Sequence, residues 1–250
     1  MKRSLAICIA FAWLWCGNTE MLLAQSYSGV AISGTANIYG AGFGDAPAPG
    51  GGTGGIPPVS AAIGIPGPAK LMFSSVTGQV QCSVSDPFNG PDGGTGAGGV
   101  TNMNAFRDIS GLFHGNRTMF LVGVFRDSNP GAPGGTPPGS LNFSDPENFL
   151  TLSPQLNQLF FIGDGRTDNT NTVQTFFVPA GATVLYLGFA DGFSFTGFPG
   201  HYGDNSGQLL ADFAFTPVPE PAVSCLMIGA VVGGLLVYRR HQTRSKMPSA

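Results

Sequence analysis

Glycine and proline interrupt this chain too often for a helical domain to form. Its 250 residues hold 39 glycines and 20 prolines. Many of them gather in runs: residues 39–58 (YGAGFGDAPAPGGGTGGIPP), 89–99 (NGPDGGTGAGG) and 129–139 (NPGAPGGTPPG). Glycine loses the most backbone freedom on ordering, and proline offers no N–H, so such runs read as loops between elements. The first is long and poor in side chains, and is expected to be a flexible loop or linker. None of the runs follows a strand and opens a helix, and none ends in the Lys-Ser/Thr of a phosphate-binding loop, so nucleotide binding is not expected.

Between the loops lie short runs rich in Phe, Val, Leu and Thr: AKLMFSSVTGQVQCSV, RTMFLVGVFR, QLFFIGDG, VQTFFVP, ATVLYLGFAD and QLLADFAFTP. In the last, Leu209, Ala211, Phe213 and Phe215 fall on one face and Asp212 on the other, the period of a half-buried strand. Hardly any stretch shows a capped helical period. Residues 25–217 therefore predict one all-β domain, a single antiparallel β-sandwich, with most of the twenty phenylalanines in its core. No exact internal repeat suggests a solenoid or propeller.

The ends of the chain read differently. Lys2 and Arg3 precede an apolar run over residues 4–16, and Ala24 supplies a small residue before a cleavage point, the form of a secretory signal peptide over residues 1–24. Its apolar run is shorter than the ~20 residues of a span. Trp15 precedes Cys16 where lipidation needs a small residue, so a lipid anchor is not expected. At the other end, residues 222–238 form an apolar segment of near-spanning length, stopped by Arg239 and Arg240, with Arg244 and Lys246 following. The positive-inside rule keeps that cluster in the cytoplasm and the body outside.

The order Pro219-Glu220-Pro221, apolar segment, arginine cluster, over residues 218–246, resembles the PEP-CTERM sorting signal of exopolysaccharide-producing bacteria. The resemblance implies recognition by an exosortase-type membrane protease, with Glu220 the central recognition residue. The protein would be exported, held at the inner membrane by its C-terminal helix, then passed to the cell surface or extracellular matrix.

Residues 25–217 hold five basic and twelve acidic side chains, a net charge of −7. Such a body has no electrostatic footprint for nucleic acid, and its carboxylates suit a hard cation. Cys8 and Cys16 lie in the signal segment and Cys225 in the C-terminal apolar segment, leaving Cys82 alone in the body and no intrachain disulfide to form. His114 and His201 begin no paired metal motif, and no Gly-x-Ser-x-Gly elbow is present, so no enzyme is expected.

The loop PGHYGDNSGQ, residues 199–208, follows Asp191 and precedes the last strand. Asp, Asn and Gly there are what a turn requires. Carboxylate, amide and main-chain oxygens are also what calcium takes, six to eight at about 2.3–2.6 Å. Both readings stand. PGHYGDNSG resembles the Pro-Gly-x-Tyr-x-Asn-Asn-x-Gly loop of small calcium-dependent galactose-binding bacterial lectins, with Asp204 in place of the first Asn of the pair. The resemblance implies a β-sandwich and a calcium ion held by Asp191, the His201 carbonyl, Asp204 and Asn205. Tyr202 would lie at the ligand, and Gly203 and Gly207 would shape the loop. A second cluster, Asp164, Asp168 and Asn169, lacks the distal Glu of an EF-hand and is read as a hairpin turn.

Three classes of function follow: a sorted surface protein that binds calcium and extracellular polysaccharide, a structural matrix or surface-coat protein with no specific ligand, and a secreted carbohydrate-active hydrolase.

Overall fold

The computed structural model describes residues 23–128, 135–144 and 148–218. The signal segment before residue 23, the Pro219-Glu220-Pro221 motif, the apolar segment 222–238 and the stop at Arg239 and Arg240 lie outside the described residues. Among the described residues no helix is long and apolar enough to cross a membrane.

The chain is all-β. Its strands run β1 (Gln25–Ser33), β2 (Val59–Ala62), β3 (Ala69–Gln81), β4 (Thr101–Met103), β5 (Leu112–His114), β6 (Val122–Arg126) and β7 (Leu141–Asn142), then β8 (Thr151–Leu152), β9 (Leu159–Phe161), β10 (Thr175–Phe177), β11 (Val184–Gly188), β12 (Thr196–Gly197) and β13 (Ser206–Pro217). The only helical pieces are four single 3-10 turns of three residues each among the described residues.

Where the sequence predicts two antiparallel sheets, the strands group into three: β1-β13-β3-β10-β8, β2-β11-β6-β9 and β12-β4-β5-β7. The pairs β10/β8, β12/β4 and β5/β7 are parallel. Each of these parallel pairs includes a two-residue strand, β7, β8 or β12, reached through a long connection instead of a tight turn, which frees its direction.

β13 carries the alternation read from its sequence. Leu209, Ala211, Phe213 and Phe215 are buried while Leu210 is exposed. It lies between β1 and β3 in the five-stranded sheet, paired over its whole length with β3 and along much of it with β1. β6 follows the other pattern, buried at all five positions, as expected of a strand covered on both faces. The core is one continuous cluster. Phe160 of β9 lies 5.3 Å from Phe176 of β10, joining the first two sheets, and Phe161 lies 5.7 Å from His114 of β5, joining the second to the third.

The glycine-rich run 39–58 is the main departure from expectation. Instead of a flexible linker it is packed onto the domain: Ile38, Tyr39 and Ala41 are fully buried. Asn37, also fully buried, secures it by accepting the Tyr39 N–H at 3.0 Å and donating to the carbonyls of Pro47 at 2.7 Å and Gly54 at 3.0 Å. Phe43 lies against two guanidinium groups, Arg107 4.2 Å and Arg126 5.1 Å from its ring centre. Arg107 grips Asp45 and Arg126 grips Asp108, each with two hydrogen bonds. The glycines serve close backbone approach: a methyl group on Gly54 would fall on the Ala46 carbonyl oxygen.

Candidate functional site

β11 delivers Asp191 three residues past its end, and the loop 192–205 returns to β13 beside it. Asp191 is 3 % exposed. Its Oδ1 accepts the Gly192 N–H at 2.7 Å and its Oδ2 accepts Asn205 Nδ2–H at 2.8 Å. Asn205, 6 % exposed, donates a second bond to the Gly34 carbonyl at 3.0 Å. Its Oδ1 is buried with no hydrogen-bond partner among the described residues. The Gly34 carbonyl sets the amide orientation, because exchanging oxygen and nitrogen would place two acceptors against each other there.

Burial pushes the Asp191 carboxyl up to about 8. The two hydrogen bonds pull against that rise and the nearby Asp204 charge adds to it.

Tyr202, expected at a ligand, has a different place. It is fully buried, its hydroxyl donating to the Phe189 carbonyl at 2.9 Å and accepting the Asp191 N–H at 3.0 Å. Its phenol is held well above the usual range by burial. It ties the loop to the end of β11, and a ligand at the surface does not reach it.

His201 takes a left-handed backbone conformation, φ 65°, and donates its N–H to Gly51 at 3.1 Å. Gly50 donates to Pro199 at 2.8 Å and Tyr202 to Thr53 at 2.9 Å, so the packed glycine run forms one wall of the loop. Gly200 is required by this seam, since a methyl there would fall on the Gly51 carbonyl oxygen.

In front of Asp191 opens a cavity of about 190 Å³, lined among others by Cys82, Asp86, Asp191, Phe193, His201 and Asp204. Asp204 is exposed. Phe193 is 69 % exposed at the rim, its ring 5.3 Å from that of His201. Cys82 donates to Asp86 Oδ2 at 3.2 Å, and burial, followed by that carboxylate, pushes its thiol up to about 12. A nucleophilic thiolate is therefore disfavoured. The cavity wall also carries Ala97, Ser194 and Phe195 at positive φ, a conformation that costs a non-glycine residue on the order of 1 kcal/mol or more.

Of the residues the sequence singles out, Asp191, His201 and Asp204 come together around this cavity, and Asn205 stands behind Asp191. Asp86, Cys82 and Phe193 belong to it as well. Asp86 lies more than one hundred residues upstream in an unremarkable turn, and nothing in its local sequence marks it. Among the described residues no three side chains of His, Cys, Asp or Glu converge closely enough to hold a metal ion.

The second cluster is a turn. Residues 162–174 are closed by the Arg166–Val173 bridge and the Thr167 N–H to the Thr172 carbonyl at 2.9 Å, with Asp164 accepting the Arg166 N–H at 2.8 Å. Asp168 is paired with Arg117. His114 is fully buried, and burial, helped by the Arg117 charge, lowers it to about 4.

Comparison of the chain with protein families, with curated proteins and with solved structures yields no match.

Proposed function

We propose that this chain is an exported bacterial surface protein, sorted through a PEP-CTERM signal and contacting extracellular polysaccharide through a non-catalytic β body. The observation that carries the sorting half is the order of Pro219-Glu220-Pro221, apolar segment 222–238 and arginines 239 and 240. Its partner is an exosortase-type membrane protease, and its destination is the cell surface or matrix.

The acidic all-β body supports the second half. Calcium belongs to this reading. Asp191, Asp204 and Asn205 offer side-chain oxygens and His201 its main-chain carbonyl, and the unpartnered Asn205 Oδ1 is the observation that favours an ion beside the Asp191 carboxyl. The sandwich architecture of the galactose-binding lectins is part of the same proposal. A purely structural coat role is the second reading, favoured by the internal hydrogen bonds that already occupy both oxygens of Asp191.

The sorting test expresses the full chain with a C-terminal tag in a host that carries an exosortase-type protease. The tag is expected to be removed from the wild type and kept on Glu220→Ala; equal removal from both overturns the reading. Calcium titration of the full chain in detergent, against Asp204→Ala, tests the ion: a saturable heat lost in the variant supports it, and no heat in either protein leaves the coat role.

A further inference from the structure

The cavity beside Asp191 has an unusual combination of walls. Three carboxyl side chains, Asp86, Asp191 and Asp204, line it together with an exposed aromatic ring, Phe193, and no Lys or Arg is among its lining residues. The carboxylates do not close on a point the size of a metal ion. They surround a space of about 190 Å³, below the ~300–1,000 Å³ of sites for drug-sized ligands and suited to one small ring or head group.

Exposed aromatics facing carboxylates recognise organic cations. The ring face attracts an ammonium within about 6 Å of its centre, and carboxylates accept its N–H donors. Phe193 is held out of the core, 69 % exposed, and braced by His201. Behind the wall, the same Asn205 amide that grips Asp191 leaves Oδ1 buried without a donor. The net charge of −7 over residues 25–217 adds long-range attraction for a cation.

We propose that this cavity holds the protonated amine of an amino sugar, with Phe193 stacked on the sugar face and Asp204 and Asp86 accepting from the amine and adjacent hydroxyls. The inference rests on the polysaccharide reading above and narrows it to glycans with free amines. Uronic-acid and phosphate-bearing glycans are disfavoured by like charge. Calcium and the amine share Asp204, so the two compete.

The test measures binding of the full chain in detergent to a β-linked glucosamine oligosaccharide and to its fully N-acetylated counterpart. It is run at about pH 6, where a primary amine is protonated, once with a chelator and once with calcium. The expected result is chelator-independent binding of the glucosamine oligomer, with the acetylated form about tenfold weaker or more. Phe193→Ala, which leaves the protein's charge unchanged, is expected to weaken binding about three- to tenfold. Asp204→Asn is expected to weaken it, whereas the same exchange at the remote, half-buried Asp212 is not.

Equal binding of the two oligosaccharides, or a requirement for calcium, overturns the amine assignment and keeps the polysaccharide reading. Binding that survives Phe193→Ala unchanged marks non-specific attraction of a polycation and overturns the site. Failure of both oligosaccharides and of neutral glycans, in either buffer, removes the polysaccharide reading with it.

Discussion

The backbone N–H of Asp191 donates to the hydroxyl of Tyr202 at 3.0 Å, and that hydroxyl in turn donates to the Phe189 carbonyl at 2.9 Å. One buried phenol thus serves two main-chain groups at the end of β11. Tyr202→Phe keeps the ring and strands both groups, at a cost of about 1–3 kcal/mol. Tyr39→Phe is the contrast, because the Tyr39 hydroxyl is buried with no partner among the described residues. Its removal is expected to be neutral or stabilising. Urea unfolding of the two variants reads the difference, and equal losses would show that the Tyr202 hydroxyl bonds contribute nothing.

Asp191 gives stability a pH dependence of known sign. Its carboxyl, ordinarily near 3.8, stands at about 8 in the folded protein, chiefly through burial. The folded state therefore binds a proton that the unfolded state has released across that window, and stability falls as pH rises from about 4 to about 8. Asp92, raised by burial to about 6, acts in the same direction over a shorter range. His114, lowered to about 4, acts oppositely, adding stability as pH rises from about 4 to about 6.5. The difference between wild type and Asp191→Asn isolates one group. The variant loses a hydrogen bond, since its NH₂ must face one of two donors, yet the gap is expected to narrow steadily toward pH 8. A gap that stays constant between pH 5 and pH 8 would mean that Asp191 does not titrate there.

Arg126 is the largest buried charge, 1 % exposed, with Nη1 and Nη2 at 2.8 and 3.0 Å from the Asp108 carboxylate. Removing Arg126 takes from Asp108 the two hydrogen bonds and the charge of its buried guanidinium partner. Arg126→Met is therefore expected to cost about 3–5 kcal/mol. Adding Asp108→Asn should restore part of it, because the cost of burying the carboxylate charge goes with it. Thermal unfolding of the single and double variants decides it; if the double is no better than the single, the loss comes from packing against Phe43 and not from charge.

What the sequence made legible follows from how local each signal is. β13 was readable because Leu209, Ala211, Phe213 and Phe215 alternate within one segment. β3, β9, β10 and β11 were readable as apolar runs between glycines and prolines. The two-residue strands β7, β8 and β12 were not, since their partners lie far along the chain and their own residues carry no period. The glycine run 39–58 misled for a related reason. Its few side chains suggested a linker, but Phe43 lies against Arg107 and against Arg126 of β6, and Ile38 just before the run donates its N–H to the Phe189 carbonyl, contacts far along the chain that a linker would not make. At the site, Asp204 and Asn205 stand out by turn composition, whereas Asp191, at a strand end, and the His201 carbonyl enter through the resemblance to the lectin loop. Asp86 entered through tertiary folding alone, and the exposure of Phe193 is a property of the folded surface that no spacing encodes.

The seam between the glycine run and the 199–203 loop should open as a unit when its closest approach is blocked. Gly200 donates its N–H to the Asp191 carbonyl at 3.1 Å while its α-carbon faces the Gly51 carbonyl so closely that a methyl group cannot be placed there. The contact is with backbone, so no side chain can swing aside, and Gly200→Ala must push residues 50–52 away from His201. The bonds Gly50 to Pro199, His201 to Gly51 and Tyr202 to Thr53 lie along that seam. The expected loss is about 1–3 kcal/mol. Amide exchange is expected to accelerate at Gly50, His201 and Tyr202 while the β13 ladder to β3 stays protected, because the ladder's bonds do not pass through the seam. Acceleration spread evenly over β3 and β13 would show that the glycine run is part of the domain's cooperative core, and exchange unchanged at all three amides would show that the seam is not held by this contact.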